Sequence, residues 1–381
     1  MKIVIAIDSF KGSLSSLSAG SAVRDGALAV FNDAEVLVSP LADGGEGTVS
    51  AIVSAMGGRL SKASVTGPLG ETVDAEYGII DKTKTAIIEM SAAAGITLVE
   101  KERRNPLFTT TFGVGELIRH AITENGCRRF VVGIGGSATN DGGVGMLEAL
   151  GFSFLDKNGN KIAHGAVGLS TLADIVCDKA MPELCECEFY VACDVKNPLC
   201  GEFGASAVYG PQKGATPEMV QNMDLWLGGY AAITERVTGI ATKDCEGAGA
   251  AGGLGFAFLS YLGAKLESGI ELVMKATELE EKIKSADIVV TGEGRLDSQT
   301  CMGKAPIGVA KLAKKHGKKV IAFSGCVSDD AGECNKHGID AFFPILRNVS
   351  TLDEALNEEN AYANLKATSE QTFRLIKAFM I

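Results

Sequence analysis

The sequence has 381 residues, 46% of them hydrophobic, enough to build the cores of two or three ordinary domains. Its formal charge is −11, from 36 Lys and Arg against 47 Asp and Glu, and no basic run exceeds the short Lys314-Lys315 and Lys318-Lys319 clusters, which argues against nucleic acid as a partner. Ten cysteines form no paired framework, and Asp8 and Lys11 break up the apolar start, so a reducing, cytoplasmic setting is expected.

In chain order, the sequence predicts a strand over Lys2 to Ile7, a helix from about Ser16 to Val30 capped by Ser15 or Ser16, and a strand at Glu35 to Val38. A helix at Thr48 to Met56 stops at Gly57-Gly58. Three β-like runs follow at Leu60 to Thr66, Thr72 to Ile80 and Thr85 to Met90, divided by turn signals. A helix is expected at Phe112 to Asn125, then a buried strand at Phe130 to Ile134 and a glycine-rich run to Gly145. Further strands are expected at Phe152 to Leu155 and Glu188 to Cys193, and a long helix at Pro217 to Val237. The last hundred residues read as strand Asp287 to Thr291, helix Lys304 to His316, strands Lys319 to Phe323 and Ala341 to Ile345, and a terminal helix ending near Met380.

Gly247 to Ala264 carries no charge, but its Gly and Ala content and acidic flanks favour a loop leading into a buried helix over a membrane span. Regular α/β segments at both ends around a mixed middle predict a doubly wound parallel sheet domain with a second mixed α/β domain inserted. The expected boundaries are 1–65 and 285–381 for the discontinuous domain and 66–284 for the insertion.

The polar segments that follow predicted strands are where such a sheet holds ligands. Asp8-Ser9-Phe10-Lys11-Gly12-Ser13 offers a carboxylate, an ammonium and two hydroxyls. Asp43-Gly44-Gly45-Glu46-Gly47-Thr48 offers acids that suit a hard cation such as Mg²⁺. Gly133 to Gly143 places five glycines around Ser137, Thr139, Asn140 and Asp141, a pattern that makes an anion nest of backbone N–H groups. Cys193-Asp194-Val195-Lys196 and Thr291-Gly292-Glu293-Gly294-Arg295-Leu296-Asp297-Ser298 set acids beside cations, Lys304 opens the next helix, and Gly210 to Gly214 adds Lys213. No Walker-type Gly-x-x-x-x-Gly-Lys-Ser/Thr, no protein-kinase signature and no Gly-x-Ser-x-Gly occurs. Gly247, Gly249 and Gly252 form a Gly-x-Gly-x-x-Gly, but no hydrophobic strand precedes it. The cluster Cys177, Cys185, Cys187, Cys193, Cys200 lacks a Cys-x-x-Cys pair, so buried thiols are expected there rather than zinc. Glycine loops, carboxylates, a few lysines and no catalytic histidine suit phosphoryl transfer to a small molecule.

At these same segments the chain resembles the type I glycerate kinases: MKIVIAIDSFKGSLSS, LADGGEGT, GIGGSATNDGG, ACDVKNPL, GPQKGA, GAGAAGG and TGEGRLDSQ. Ile7 departs from the proline more common in that family. The resemblance implies a flavodoxin-like domain carrying an inserted domain, with the active site in the cleft between them. It implies ATP with Mg²⁺ as donor, D-glycerate as acceptor, and 2-phosphoglycerate ahead of 3-phosphoglycerate as product, within organic-acid (glycerate, glyoxylate or aldarate) catabolism. Onto this scheme we map Lys11 and Lys304 to phosphate charge, Asp43 and Glu293 to Mg²⁺, and Gly135, Gly136, Ser137, Thr139 and Asn140 to the nucleotide cradle. Asp194 is the expected base, with Asp8 and Asp141 as rivals, and an Asp194–Lys196 ion pair is the structural alternative for it. Ser9 and Arg295 are expected at the glycerate carboxylate, and Asp297 is expected among the substrate-binding residues. A nicotinamide-dependent hydroxy-acid dehydrogenase and a ligand-sensing module are the other readings, and a homo-oligomer stays open.

Overall fold

The computed structural model describes residues 1–42 and 47–380. In chain order the strands are β1 (Lys2–Ile5), β2 (Glu35–Val38), β3 (Arg59–Thr66), β4 (Thr72–Ile80), β5 (Thr85–Glu89), β6 (Arg129–Gly133) and β7 (Ser153–Asp156). They continue as β8 (Leu172–Val176), β9 (Glu188–Ala192), β10 (Lys265–Glu267), β11 (Ile288–Leu296), β12 (Lys319–Val327) and β13 (Ala341–Pro344). The described residues divide into two compact units, one of 1–42, 50–56 and 273–380, the other of 47–49 and 57–272.

The first unit is an all-parallel five-stranded sheet of order β13-β12-β11-β1-β2. Counting only its own strands, that is the 2-1-3-4-5 order of flavodoxin-like sheets, as the family resemblance implied. Strands covered on both faces need continuous apolar runs, and Ile3 to Ile7 is fully buried for that reason. The helix Ser16–Leu28 crosses from β1 to β2, its N-terminus capped where the Ser15 side chain accepts the Ser18 N–H. The helix Ala305–Lys315 crosses from β11 to β12. Ile3, Ile5, Val290, Phe323, Leu365 and Phe373 fill the core, the last two from the terminal helix Glu358–Phe379. Chain connections leave the neighbouring strands β1 and β11 toward opposite edges of the sheet, which opens a crevice at their carboxyl ends.

β11 and β12 run further than the sequence suggested, staying paired from Gly292↔Phe323 to Leu296↔Val327. The reason is steric. A Cβ at Gly292 would lie 1.9 Å from the Phe323 carbonyl oxygen, so only glycine lets the two backbones come this close. Ser324 then accepts the Leu296 N–H at 3.0 Å. Glu293 and Arg295, two residues apart, therefore leave one face of a strand rather than a loop.

The second unit holds a mixed six-stranded sheet of order β10-β9-β6-β5-β4-β3 and the hairpin-like pair β7-β8. β5, β6, β9 and β10 are parallel, while β3 and β4 add antiparallel edge strands. Its core is built on Tyr77, Phe130, Phe154, Tyr230, Phe256 and Phe258. The unit boundaries fall at different places from those expected. β3 pairs with β4 along its whole length, Arg59↔Ile79 to Thr66↔Thr72, and so belongs with the second sheet. The helix Leu279–Lys284 belongs with the first unit. A strand's sheet is decided by its partner, which periodicity along one chain does not name. No helix among the described residues is long and apolar enough to cross a membrane.

Candidate active site

The crevice beyond β1 and β11 contains a cavity of about 280 Å³ lined by Asp8, Ser9, Lys11, Glu293, Arg295 and Lys304, with the backbone of Gly294 and Ala305 between them. Six of the expected site residues thus meet in one place, three cations with two carboxylates, in a chain whose net charge is −11. Their positions follow from the fold. The Asp8 N–H continues the β1–β11 ladder by donating to the Gly292 carbonyl at 2.9 Å, and the Asp8 carboxylate, 6% exposed, accepts the Ser9 N–H. A tight turn closed by Phe10 and Leu14 carries Lys11. The Gly294 backbone passes under this turn: a Cβ there would lie 3.4 Å from the Lys11 nitrogen. Lys304 is the cap residue of the helix Ala305–Lys315, so its ammonium and the Ala305 N–H serve the same end of the cavity, while Pro306 has no N–H and the Ile307 and Gly308 N–H groups donate to the Lys304 carbonyl.

Glu293 is the electrostatic centre of this group. Burial pushes its carboxyl above the ordinary value, against the opposing pull of a Thr300 hydroxyl that donates to Oε1 at 2.6 Å and of the nearby Lys304 and Lys11. Thr300 was not singled out in the sequence; it sits in the one-turn helix Thr300–Met302, and its spacing from Glu293 acquires meaning only from the extended β11. Asp297, expected at the substrate, does not line the cavity. It holds Arg295, which does, at 3.6 Å and accepts the N–H of Thr300, the partner of Glu293, at 3.2 Å.

The remaining expected residues lie in the second unit, except for Asp43, which falls outside the described residues. Asp141 is displaced from the list of bases. Its carboxylate is 1% exposed and accepts the Thr111 N–H and hydroxyl, both at 2.8 Å, with the Gly143 and Gly145 N–H groups at 3.1 and 3.3 Å. Burial pushes this carboxyl up while those four donors pull it down. A group so enclosed has no path to a substrate. Asp141→Ala leaves four buried donors without their acceptor, so the expected result is a loss of about 3 kcal/mol or more, read as a drop in unfolding temperature of about 6 to 12 °C. Unchanged melting in that variant would return Asp141 to the list of reacting groups.

The glycine run is also narrower as a cradle than expected. Gly135 and Gly136 are exposed, but Thr139 and Asn140 are fully buried, and the Asn140 amide donates to Ser206 at 2.9 Å. The Ala138 N–H is taken by the Ala94 carbonyl and the Thr139 N–H by the Ser137 hydroxyl. Gly135 to Ser137 is the part left facing outward or just beneath the surface. Behind it, a Cβ at Gly252 would lie 2.0 Å from the Thr139 carbonyl oxygen, with φ at +69°, so the Gly-x-Gly-x-x-Gly segment is a close-packing device for this loop rather than a dinucleotide turn.

Asp194 emerges exposed just past β9, and its carboxylate accepts the Gly269 N–H at 3.1 Å. The ion pair with Lys196, the structural alternative for Asp194, does not form; Lys196 meets Glu246 at 3.1 Å on the surface instead. Lys213, which the sequence offered only as a loop cation, is 2% exposed and donates to the Thr139 carbonyl at 2.6 Å. The sole signal for it was the pair of glycines and the proline around it.

Comparison with known proteins identifies the chain's relatives. Residues 3–377 match the sequence pattern of the Glycerate kinase family. The chain is 51% identical over 365 residues to a protein of Escherichia coli (strain K12) named Glycerate 2-kinase, covering 96% of this chain and 95% of that one. It is 48% identical over 376 residues to a Glycerate kinase of Haemophilus influenzae, covering 99% of each. A crystal structure of a Salmonella typhimurium LT2 protein assigned as glycerate kinase 2 superposes with a TM-score of 0.91 at 48% identity, covering 99% of this chain and 98% of that one. With a matching pattern over nearly its whole length and relatives at half identity, the chain belongs to the glycerate kinase family.

Proposed function

We propose that this protein transfers the terminal phosphoryl group of ATP to the 2-hydroxyl of D-glycerate, giving 2-phosphoglycerate, in the cytoplasm and in the service of organic-acid catabolism. The observation that carries the reading is the cation-rich cavity at the sheet's switch point, where Lys11, Lys304 and a helix N-terminus converge in an otherwise acidic chain. The 2-position is favoured by the name of the Escherichia coli relative. Phosphoryl transfer asks the protein mainly to position two oxygens in line and to absorb charge. Lys11, Lys304 and the Ala305 N–H take the phosphate charge, and Ser9 and Arg295 hold the glycerate carboxylate. Gly135 to Ser137 supports the nucleotide phosphates, and Asp194 accepts the hydroxyl proton as the new P–O bond forms and ADP departs.

The donor set suits Mg²⁺. No group of three or more His, Cys, Asp or Glu side chains among the described residues makes a metal site by itself. Mg²⁺ in kinases takes one or two carboxylates and fills its sphere with phosphate oxygens and water. Glu293 and Asp43 would hold it, and when bound it neutralises part of the triphosphate charge. Excess chelator should therefore lower the rate by about 10²-fold or more, with recovery on adding Mg²⁺; full turnover in chelator would remove this role.

The direct test is to mix the protein with ATP, Mg²⁺ and D-glycerate, follow ADP release and identify the product by phosphorus NMR. A 2-phosphoglycerate signal supports the reading, a 3-phosphoglycerate signal corrects its regiochemistry, and the absence of ADP release sinks it.

A further inference from the structure

The second unit contains a buried cation that the reaction scheme above does not use. Lys213 is 2% exposed and ends a one-turn helix, Pro211–Lys213, that is locked by Gly214 at φ +93° against the Arg104 carbonyl. Its ammonium donates to the Thr139 carbonyl at 2.6 Å and approaches the Ser137 hydroxyl at 3.5 Å. That hydroxyl in turn holds the Thr139 N–H at 3.1 Å and the Thr139 hydroxyl at 2.9 Å. Among the described residues no carboxylate forms an ion pair with Lys213. The charged group that attracts it, Asp141, already serves four other donors.

An ammonium taken out of water without a counter-ion is expensive. The loop above it, Gly133 to Ala138, has no charged side chain of its own, and Gly135 and Gly136 are its exposed surface. The missing counter-charge and the missing cation lie on opposite sides of one layer of backbone. We propose that Lys213 is a positioning residue for the nucleotide phosphates: through Thr139 and Ser137 it fixes the Gly135–Ser137 loop, and its charge supplies the positive field that this loop lacks. The proposal rests on the reading of that loop as the phosphate cradle.

Burial lowers the Lys213 ammonium to about 7, with Asp141 pulling the other way. The lysine is then charged below that pH and neutral above it. A phosphate bound at the loop favours the charged form, so binding above pH 7 should draw in a proton, and affinity should fall as pH rises through 7 to 8.

The test uses ADP as the probe, by titration calorimetry on the intact protein, with Lys213→Met, Lys213→Gln and Gly136→Val as variants. The expected result is that Lys213→Met melts somewhat lower, because the buried Thr139 carbonyl loses its closest donor, binds ADP about tenfold or more weakly, and leaves the KM for glycerate unchanged. ADP binding by the parent at pH 8 should show a buffer-dependent enthalpy from proton uptake that Lys213→Met lacks. Lys213→Gln keeps a donor for Thr139 without the charge and should stay weak; recovery of parental affinity there would overturn the charge role. Parental ADP affinity in Lys213→Met, or a loss shared equally by the glycerate KM, overturns the proposal outright. Gly136→Val separates the two readings. If it weakens ADP binding while Lys213→Met does not, Lys213 alone is wrong; if it leaves ADP binding intact, the cradle reading and this inference fall together.

Discussion

Lys11→Ala should lower kcat/KM for glycerate phosphorylation by about 10²- to 10³-fold, the loss typical of removing one preorganised partner of a developing anion. The side chain is exposed on a turn, outside the packed core, so unfolding should shift by no more than about 0.5 kcal/mol. A second readout distinguishes this role from simple loss of binding. Lys11 is one of the groups pulling the Glu293 carboxyl down against burial, so its removal lets that carboxyl rise further. If ionised Glu293 is the active form, the acid limb of the rate profile moves to higher pH in the variant. Near-parental kcat/KM would end the assignment of Lys11 to the phosphate.

Asp194→Asn should depress kcat by about 10²- to 10⁴-fold with little change in the KM for ATP, because it removes a proton acceptor and keeps the shape. The structure makes this substitution cleaner than the sequence could promise. Asp194 shapes its surroundings by accepting the Gly269 N–H, and the asparagine carbonyl can accept the same bond. Asp194→Ala loses that bond as well, and should add about 1 kcal/mol of destabilisation to the same kinetic defect. Full specific activity in Asp194→Asn would pass the role to Asp8, the remaining carboxylate of the original three that reaches a cavity.

The strands and helices of the chain ends were legible because doubly covered parallel strands such as β1 and β12 are written as apolar runs bounded by turns. The six cavity residues were legible for a related reason: each follows such a run. What the sequence concealed depends on partners far away in the chain. Asp141 and Asp194 look alike as acids after strands, yet one is sealed under four donors and the other is exposed. Lys196 sits two residues from Asp194 but faces Glu246, in a segment past the end of β9 where strand alternation no longer sets the side chains' directions. Lys213 reads as a loop cation and lies in the interior because the Gly210 to Gly214 backbone folds it inward against Thr139.

The first unit's sheet also sets the order in which the chain can mature during synthesis. Ile3 pairs with Ile288, so β1 and β2 leave the ribosome without the neighbour that completes their sheet. At the usual elongation rate of about 5 to 20 residues per second, β11 follows them after about 15 to 60 s. The second unit lies wholly between them in sequence, and its own strands are all available before β11 appears. Its folding brings residues 57 and 272 into one compact body and so replaces a long flexible loop by a short effective one, lowering the entropy of closing β1 onto β11. The apolar strand Ile3 to Ile7 spends that interval without its β11 neighbour, so one edge of it stays open to chaperones and to aggregation on the nascent chain.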